Sequence, residues 1–165
     1  MNFNYTDTAQ LYADSVKCRV INIHGELNNQ SNPIIFGYGD ELDDDFREIE
    51  KTNDNDFLEN IKSIHYNKTK NYRQLLEFLL DGIYQVFTMG HSCGNSDRTL
   101  LNAIFEHPNC ISVKPFYHQR EYRDDYIDII KNISRNFTNK QNMRDIVVNK
   151  EHCEPLIPLK FRAPR

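Results

Sequence analysis

"IYQVFTMGHSCGNSDRTLLNAIFEH", residues 83–107, is the stretch of sequence that indicates the fold most clearly. An apolar run at 84–89 suits a buried strand, a loop containing Gly90 and Gly94 follows it, and residues 96–106 repeat apolar side chains at helical spacing. A strand, a glycine loop and an amphipathic helix in that order are typical of α/β proteins.

The segments on either side extend the same pattern. Short, nearly continuous apolar runs, typical of strands buried on both faces, lie at residues 2–5, 18–23, 33–37 and 110–115. Apolar stripes predict helices at residues 55–65, 71–81 and 121–137. The alternation predicts an α/β fold of three layers, a mostly parallel sheet flanked by helices, as a single domain over residues 1–149. Residues 150–165 contain three prolines and no period, which predicts an irregular C-terminal arm.

Composition excludes several classes of protein. The formal charge is −4 and the basic residues are scattered, so no nucleic-acid partner is expected. No apolar run is long enough for a membrane span, and residues 1–15 do not resemble a secretory signal, so we expect a cytoplasmic protein without a membrane partner. The four cysteines are far apart in the sequence, and neither a metal site nor a disulfide is expected.

Glycines follow three of the predicted strands. They are Gly25 in "HG", Gly37 and Gly39 in "GYGD", and Gly90 and Gly94 in "GHSCG". Glycine allows positive φ and close backbone approach, and loops after parallel strands meet at the carboxyl edge of a sheet. We therefore expect these loops to share a ligand-binding crevice; the alternative is that the glycines only turn the chain.

Residues 90–94 also satisfy G-x-S-x-G, the pattern of a serine-hydrolase nucleophile. Such an enzyme needs an acid and then a histidine later in the chain, for which Asp124 or Asp125 and His152 are candidates. Both aspartates lie on a predicted helix, His152 lies in the proline-rich tail, and no oxyanion loop of the "HGGG" type is present. A serine hydrolase is therefore the third hypothesis.

Several motifs, in this order, resemble those of one family. They are "NFNYTDT" (2–8), "INIHGEL" (21–27), "PIIFGYGDEL" (33–42), "VFTMGHSCGNSD" (86–97) and "SVKPFYH" (112–118). Over roughly residues 2–145 the chain resembles the C-terminal part of AbiH-type bacteriophage abortive-infection proteins, which are themselves similar to the sirtuin-like, Rossmann-like NAD-binding fold. The resemblance implies a phage-defence protein that binds or hydrolyses NAD. The alternative is a non-catalytic interaction or sensor domain with the same fold.

The resemblance also implies site residues. His24 is similar to the histidine that acts as general base on a ribose hydroxyl, and Asn4 to an asparagine beside the nicotinamide ribose. The positions that match cofactor-binding segments are Gly25, Gly37, Gly39, Asp40, Gly90, His91, Ser92 and Asp97. From the residues alone, His24 could instead be a structural hydrogen-bonding group, and Asn4 and Asp40 could be helix caps.

Two departures from the sirtuin-like pattern qualify these implications. Only "ELNNQSN" follows "HG", where sirtuin deacetylases carry a four-cysteine zinc module, so protein deacylation is not expected. The first strand and the glycine-rich phosphate loop of the family would lie upstream of "NFNYTD". We therefore expect a partial fold whose open sheet edge is covered by self-association or by an upstream segment of protein.

Overall fold

The computed structural model describes residues 1–13, 18–38, 41–42 and 44–161. Its contacts divide the chain into two compact units, Met1–Asp81 and Gly82–Arg165. Helices combine with a two-stranded parallel sheet, which confirms the α/β class at that level. The boundary between the units falls inside residues 1–149, for which one domain is predicted, and the three-layer arrangement stays a prediction.

The described residues of the unit Met1–Asp81 form the helices α1 (Asp44–Lys51), α2 (Lys62–His65) and α3 (Asn71–Leu80). Short 3₁₀ helices lie at Asp7–Leu11, Asn55–Leu58 and Tyr66–Lys68. Helix α3 confirms the helix predicted at 71–81, with Leu75 and Leu79 buried. The single helix predicted at 55–65 is wrong, because Ile61 is extended (ψ 119°) and forms a parallel bridge with Tyr38.

The strands predicted at 2–5, 18–23 and 33–37 are also wrong among the described residues, although Ile21 and Ile23 are buried as expected. Asn2 and Asn22 form only an isolated parallel bridge. The side chain of Asn2 donates to Thr6 O at 3.0 Å and to Asn22 Oδ1 at 2.9 Å. Such side-chain bonds compete with a β-ladder. Residue 33 is a proline and has no N–H to donate to one.

The unit Gly82–Arg165 is built on a β-α-β sequence. Strands β1 (Tyr84–Thr88) and β2 (Cys110–Pro115) are parallel and are connected through α4 (Arg98–Phe105), which a 3₁₀ helix at Asn95–Asp97 precedes. These elements confirm the predictions at 84–89, 96–106 and 110–115. The apolar stripe of α4 is buried, and Phe105 stacks on Phe137 with ring centroids 5.7 Å apart.

The helices α5 (Tyr126–Arg135) and α6 (Lys140–Ile146) follow in the described part of this unit. A helix is predicted over 121–137, but α5 begins five residues later than that, at Tyr126. The cause is local, because the Asp124 carboxylate accepts the N–H of Tyr126 and the Asp125 carboxylate accepts the N–H of His118. The tail contains only 3₁₀ helices, Lys150–His152 and Leu159–Phe161, within its described part.

Candidate functional site

A cavity of about 410 Å³ lies in the unit Gly82–Arg165, beside the loops that follow its two strands. The register pairs Thr88 of β1 with Pro115 of β2, so both strands end at the same edge of the sheet. Residues 90–92 follow β1 and residues 116–118 follow β2, and both groups line the cavity. The carboxyl edge of a parallel sheet is the usual position of ligands in α/β proteins.

Helix α5 and the tail supply the rest of the lining. From the helix and the residue before it come Asp125, Asp128, Ile129 and Asn132, and from the tail comes Leu156. Leu156 is held beside the loop after β2, since its N–H donates to Tyr117 O at 2.9 Å. The tail, which has no predicted role, therefore contributes a wall of the cavity.

Two residues of the loop after β1 have positive φ: Gly90 at 68° and Cys93 at 53°. His91 fixes the turn between them. Its Nδ1 accepts the N–H of Cys93 at 3.0 Å, and its Nε2 lies 3.3 Å from Oδ2 of Asp97, which is buried. Because Nδ1 is an acceptor, the proton of the neutral ring is assigned to Nε2, which donates to Asp97. Both ring nitrogens of His91 are thus engaged within the loop.

Two asparagines at the end of α5 hold the same loop from the other side. Asn132 donates from Nδ2 to Ser92 O at 2.8 Å, and Asn136 donates from Nδ2 to Cys93 O at 2.8 Å. No role was predicted for either residue. Their spacing, i and i+4 beside the apolar stripe of Ile129 and Ile133, is the signal that places them on one helix face.

The loop after β2 is equally well anchored. The N–H of Phe116 donates to Thr88 O at 2.9 Å, and the N–H of His118 donates to Oδ1 of Asp125 at 2.6 Å. The ring of Tyr117 meets the ring of Tyr126 edge to face, with centroids 6.0 Å apart. The lining of the cavity therefore includes aromatic residues and carboxylates that contacts within the unit hold in place.

The geometry around Ser92 does not assemble a catalytic triad. Ser92 is exposed, and positive φ falls on Cys93 rather than on the serine. The candidate partners are engaged elsewhere: Asp124 with Lys150 Nζ at 2.6 Å, and His152 with Glu151 at 3.7 Å. Among the described hydrogen bonds, none joins the Ser92 hydroxyl to a histidine.

Cys93 is not an activated nucleophile either. It is fully buried, and burial raises the pKa of its thiol to about 11. A thiol with such a pKa remains protonated, and therefore weakly nucleophilic, near neutral pH.

The remaining predicted site residues with described positions lie in the unit Met1–Asp81; Gly39 and Asp40 lie outside the described residues. His24 is 2% exposed, within an aromatic cluster that we define as Phe3, Tyr5, His24 and Tyr66. The three other rings have centroids 5.5, 6.4 and 6.2 Å from the ring of His24. Asn4 is exposed, and its backbone N–H donates to Asn2 Oδ1 at 3.0 Å. The catalytic roles of His24 and Asn4 stay predictions.

At two positions of this unit, close packing of the backbone accounts for the presence of a glycine. Gly25 has φ of +80°, and a Cβ there would lie 2.1 Å from Pro33 O. A Cβ on Gly37 would lie 2.6 Å from Asn60 O. Both positions require close backbone approach, which only glycine permits.

Neither a metal cluster nor a membrane span is found in the part of the chain that the structure describes. No group of three or more His, Cys, Asp or Glu side chains there could hold a metal ion. No helix in that part is both long and apolar enough to cross a membrane.

One comparison with known proteins gives a match. A family model described as "Bacteriophage abortive infection AbiH" matches residues 1–119, well over half of the 165 residues. No curated protein and no solved structure matches the chain. The matched range includes the cavity loops at 90–92 and 116–118, whereas the contribution from α5 lies beyond it.

Proposed function

Because the chain belongs to the AbiH family of bacteriophage abortive-infection proteins, we propose that this phage-defence protein binds a nucleotide of the NAD class, with a nucleoside in the cavity beside β1 and β2. The observation that carries the proposal is the meeting of two loops at one edge of a parallel strand pair. Nucleotides bind at this edge in open α/β sheets. A volume of about 410 Å³ is within the usual range for small-molecule sites.

The chemistry of the lining supports a nucleoside rather than a phosphate. The rings of Phe116 and Tyr117 offer surfaces for a base, and the Ser92 hydroxyl and the Asp128 carboxylate can bond ribose hydroxyls. Asp128 is the more exposed carboxylate; its Oδ1 pairs with Lys131 Nζ at 2.9 Å, which leaves Oδ2 for a ribose hydroxyl, whereas Asp125 accepts the N–H of His118. The described lining contains no lysine or arginine, so phosphate groups would extend away from this cavity.

The geometry supports binding without turnover. A general base must come within about 2.6–3.2 Å of the proton it removes. Of the two histidines that the resemblance implies at the site, His91 has both ring nitrogens engaged by Cys93 and Asp97, and His24 is buried among aromatic rings. We therefore favour a sensor that binds the nucleotide over a glycohydrolase. The sirtuin-like three-layer sheet and self-association of the chain belong to this proposal.

The test is calorimetric titration of the full chain with NAD and with adenosine. Asp128→Asn keeps the shape of a side chain that is 72% exposed while removing its charge. Loss of one hydrogen bond to a charged group weakens binding by about 1.5 kcal/mol, so Kd should rise roughly tenfold. Ser92→Ala should weaken binding of adenosine in the same direction.

Asp145→Asn is the matched control, because Asp145 is an exposed aspartate of α6 that does not line the cavity. This variant should bind both ligands as the parent chain does. No binding of NAD or adenosine, or binding that none of the cavity variants weakens, would contradict the proposal. Consumption of NAD during the titration would favour the glycohydrolase over the sensor.

A further inference from the structure

A second cavity, of about 500 Å³, lies in the unit Met1–Asp81. Its lining consists of residues 20–22, Glu26 and residues 31–32, together with residues 68–71 and Gln74. Unlike the cavity beside β1 and β2, its lining is mainly polar and carries both a carboxylate and ammonium groups. Unlike the first cavity, it therefore offers cations to a negatively charged group of a ligand.

The carboxylate of Glu26 is held in place by three asparagine side chains. Nδ2 of Asn22 and Nδ2 of Asn32 donate to its Oε1 at 2.7 and 3.0 Å, and Nδ2 of Asn29 donates to its Oε2 at 2.8 Å. These hydrogen bonds hold the pKa of Glu26 below its ordinary value. The group is therefore a fixed, ionised acceptor at neutral pH.

Asn71 completes the polar wall. It is 6% exposed, and its Nδ2 donates to Asn22 O and to Asn32 Oδ1, both at 2.8 Å. Because both hydrogens of this amide are used, the group that Asn71 has left to offer is its acceptor, Oδ1. The wall thus presents acceptors, from Glu26 and Asn71, that suit the hydroxyl groups of a ligand.

The other charged residues of the lining are Lys68 and Lys70. Both are exposed, and they flank Thr69, which also lines the cavity. Two ammonium groups and a hydroxyl are suited to a phosphate. The cavity therefore combines hydroxyl-binding acceptors with phosphate-binding cations.

We propose that this cavity binds a phosphorylated pentose, with its hydroxyls at Glu26 and Asn71 and its phosphate at Lys68 and Lys70. The pentose phosphate could be free or part of a mononucleotide, since both present the same groups. This site is separate from the proposed nucleoside site and goes beyond it.

The test is titration of the full chain, followed by NMR, with ribose 5-phosphate, ribose, inorganic phosphate and AMP. Ribose 5-phosphate should bind at least tenfold more tightly than ribose or inorganic phosphate, because only it carries both the hydroxyls and the phosphate. Lys68→Ala and Lys70→Ala should each weaken its binding about tenfold and leave the weak binding of ribose unchanged. Glu26→Gln should remove the preference over inorganic phosphate, with circular dichroism used to verify that the variant is folded.

Lys51→Ala is the matched control, since Lys51 is an exposed lysine of the same unit that pairs with Glu48 and does not line the cavity. Tighter binding of AMP than of ribose 5-phosphate would identify a nucleotide as the source, and equal binding would identify the free sugar phosphate. The proposal is overturned if inorganic phosphate binds as tightly as ribose 5-phosphate, or if Lys51→Ala matches the two cavity variants. Asp128→Asn should leave the binding of ribose 5-phosphate intact. The proposal for this cavity and the proposal for the cavity beside β1 and β2 can therefore be contradicted independently.

Discussion

The side-chain amide of Asn136 donates a hydrogen bond to the carbonyl oxygen of Cys93, 2.8 Å away, across 43 positions of sequence. Asn136 is 1% exposed, and Cys93 has a φ of 53°, in the left-handed region that a non-glycine residue rarely adopts. The same amide donates to Asn132 O at 2.8 Å. The unusual backbone of the loop after β1 is therefore maintained by the end of α5.

Asn136→Ala should destabilise the protein by about 1–3 kcal/mol, because it leaves the carbonyl of Cys93 buried without its partner. Urea denaturation of the full chain, followed by circular dichroism, measures this change. Asn149→Ala, at an exposed asparagine of the same unit, is the control and should change stability little. Equal effects of the two substitutions would show that the bond to Cys93 O contributes nothing measurable.

The hydrogen bonds of Glu106 predict that the stability of the protein depends on pH in the acidic range. Although burial acts to raise its pKa, hydrogen bonds from Thr138, from the N–H of Asn139 and from Asn102 hold the pKa below its ordinary value of 4.5. A depressed pKa means that the stability it contributes is complete above that value and is lost as the pH falls below it. Glu106→Gln should therefore lower the free energy of unfolding at neutral pH and flatten the decline of that free energy as the pH falls below 4.5.

Denaturant midpoints measured across that range test this expectation. Glu151→Gln serves as the control, because the side chain of Glu151 is 75% exposed. It should leave the acid dependence nearly unchanged. A decline as steep for Glu106→Gln as for the parent chain would contradict the role assigned to Glu106.

Gly25→Ala and Gly82→Ala should differ in their effect on the stability of the protein. At Gly25 the backbone has φ of +80° and a Cβ would lie 2.1 Å from Pro33 O, whereas a Cβ at Gly82 meets nothing within 4 Å. Strain of this kind costs about 1–3 kcal/mol, and the clash adds to it. Gly82→Ala should be neutral or slightly stabilising, since alanine restricts the unfolded chain. Thermal unfolding of both variants measures the difference; equal melting temperatures would contradict it.

The sequence predicts β1, β2, α3 and α4 well because each carries a clear apolar pattern of the right period. The predictions from the sequence fail where side chains form hydrogen bonds that compete with regular secondary structure. Asn2 and Asn22 replace a ladder with side-chain bonds, and Asp124 and Asp125 delay the start of α5. Such competition depends on contacts between particular residues and leaves no periodic signal.

Some residues of the candidate site can likewise be predicted from the sequence, and others cannot. The glycine loop at 90–92 is predicted from its position after an apolar run, and it does line a cavity. The contributions of Asp128, Asn132 and Leu156 come from segments far along the chain and depend on tertiary packing. Gly25 and Gly37 are predicted to bind a ligand, but close backbone packing accounts for a glycine at each position. The sequence pattern cannot distinguish these two reasons for a glycine.

Ser92 should not react with a fluorophosphonate probe. Labelling requires a hydroxyl activated by a neighbouring base, and the described hydrogen bonds give Ser92 no histidine partner. Incubation of the full chain with the probe, followed by intact-mass measurement, tests this, with Ser92→Ala as the reference. Stoichiometric labelling that Ser92→Ala abolishes would restore the serine-hydrolase hypothesis.

Substitutions of His24 distinguish a packing role of this residue from a catalytic role. Its ring lies in the cluster with Phe3, Tyr5 and Tyr66 at 2% exposure, so His24→Ala should destabilise the protein by about 2–5 kcal/mol, as removal of a buried ring does. His24→Phe keeps an aromatic ring without ring nitrogens and should be destabilised less. Under the sensor proposal neither substitution alters NAD turnover, because the parent chain has none. A parent chain that consumes NAD, together with a folded His24→Phe variant slower by about 10²–10⁴-fold, would instead establish His24 as a general base.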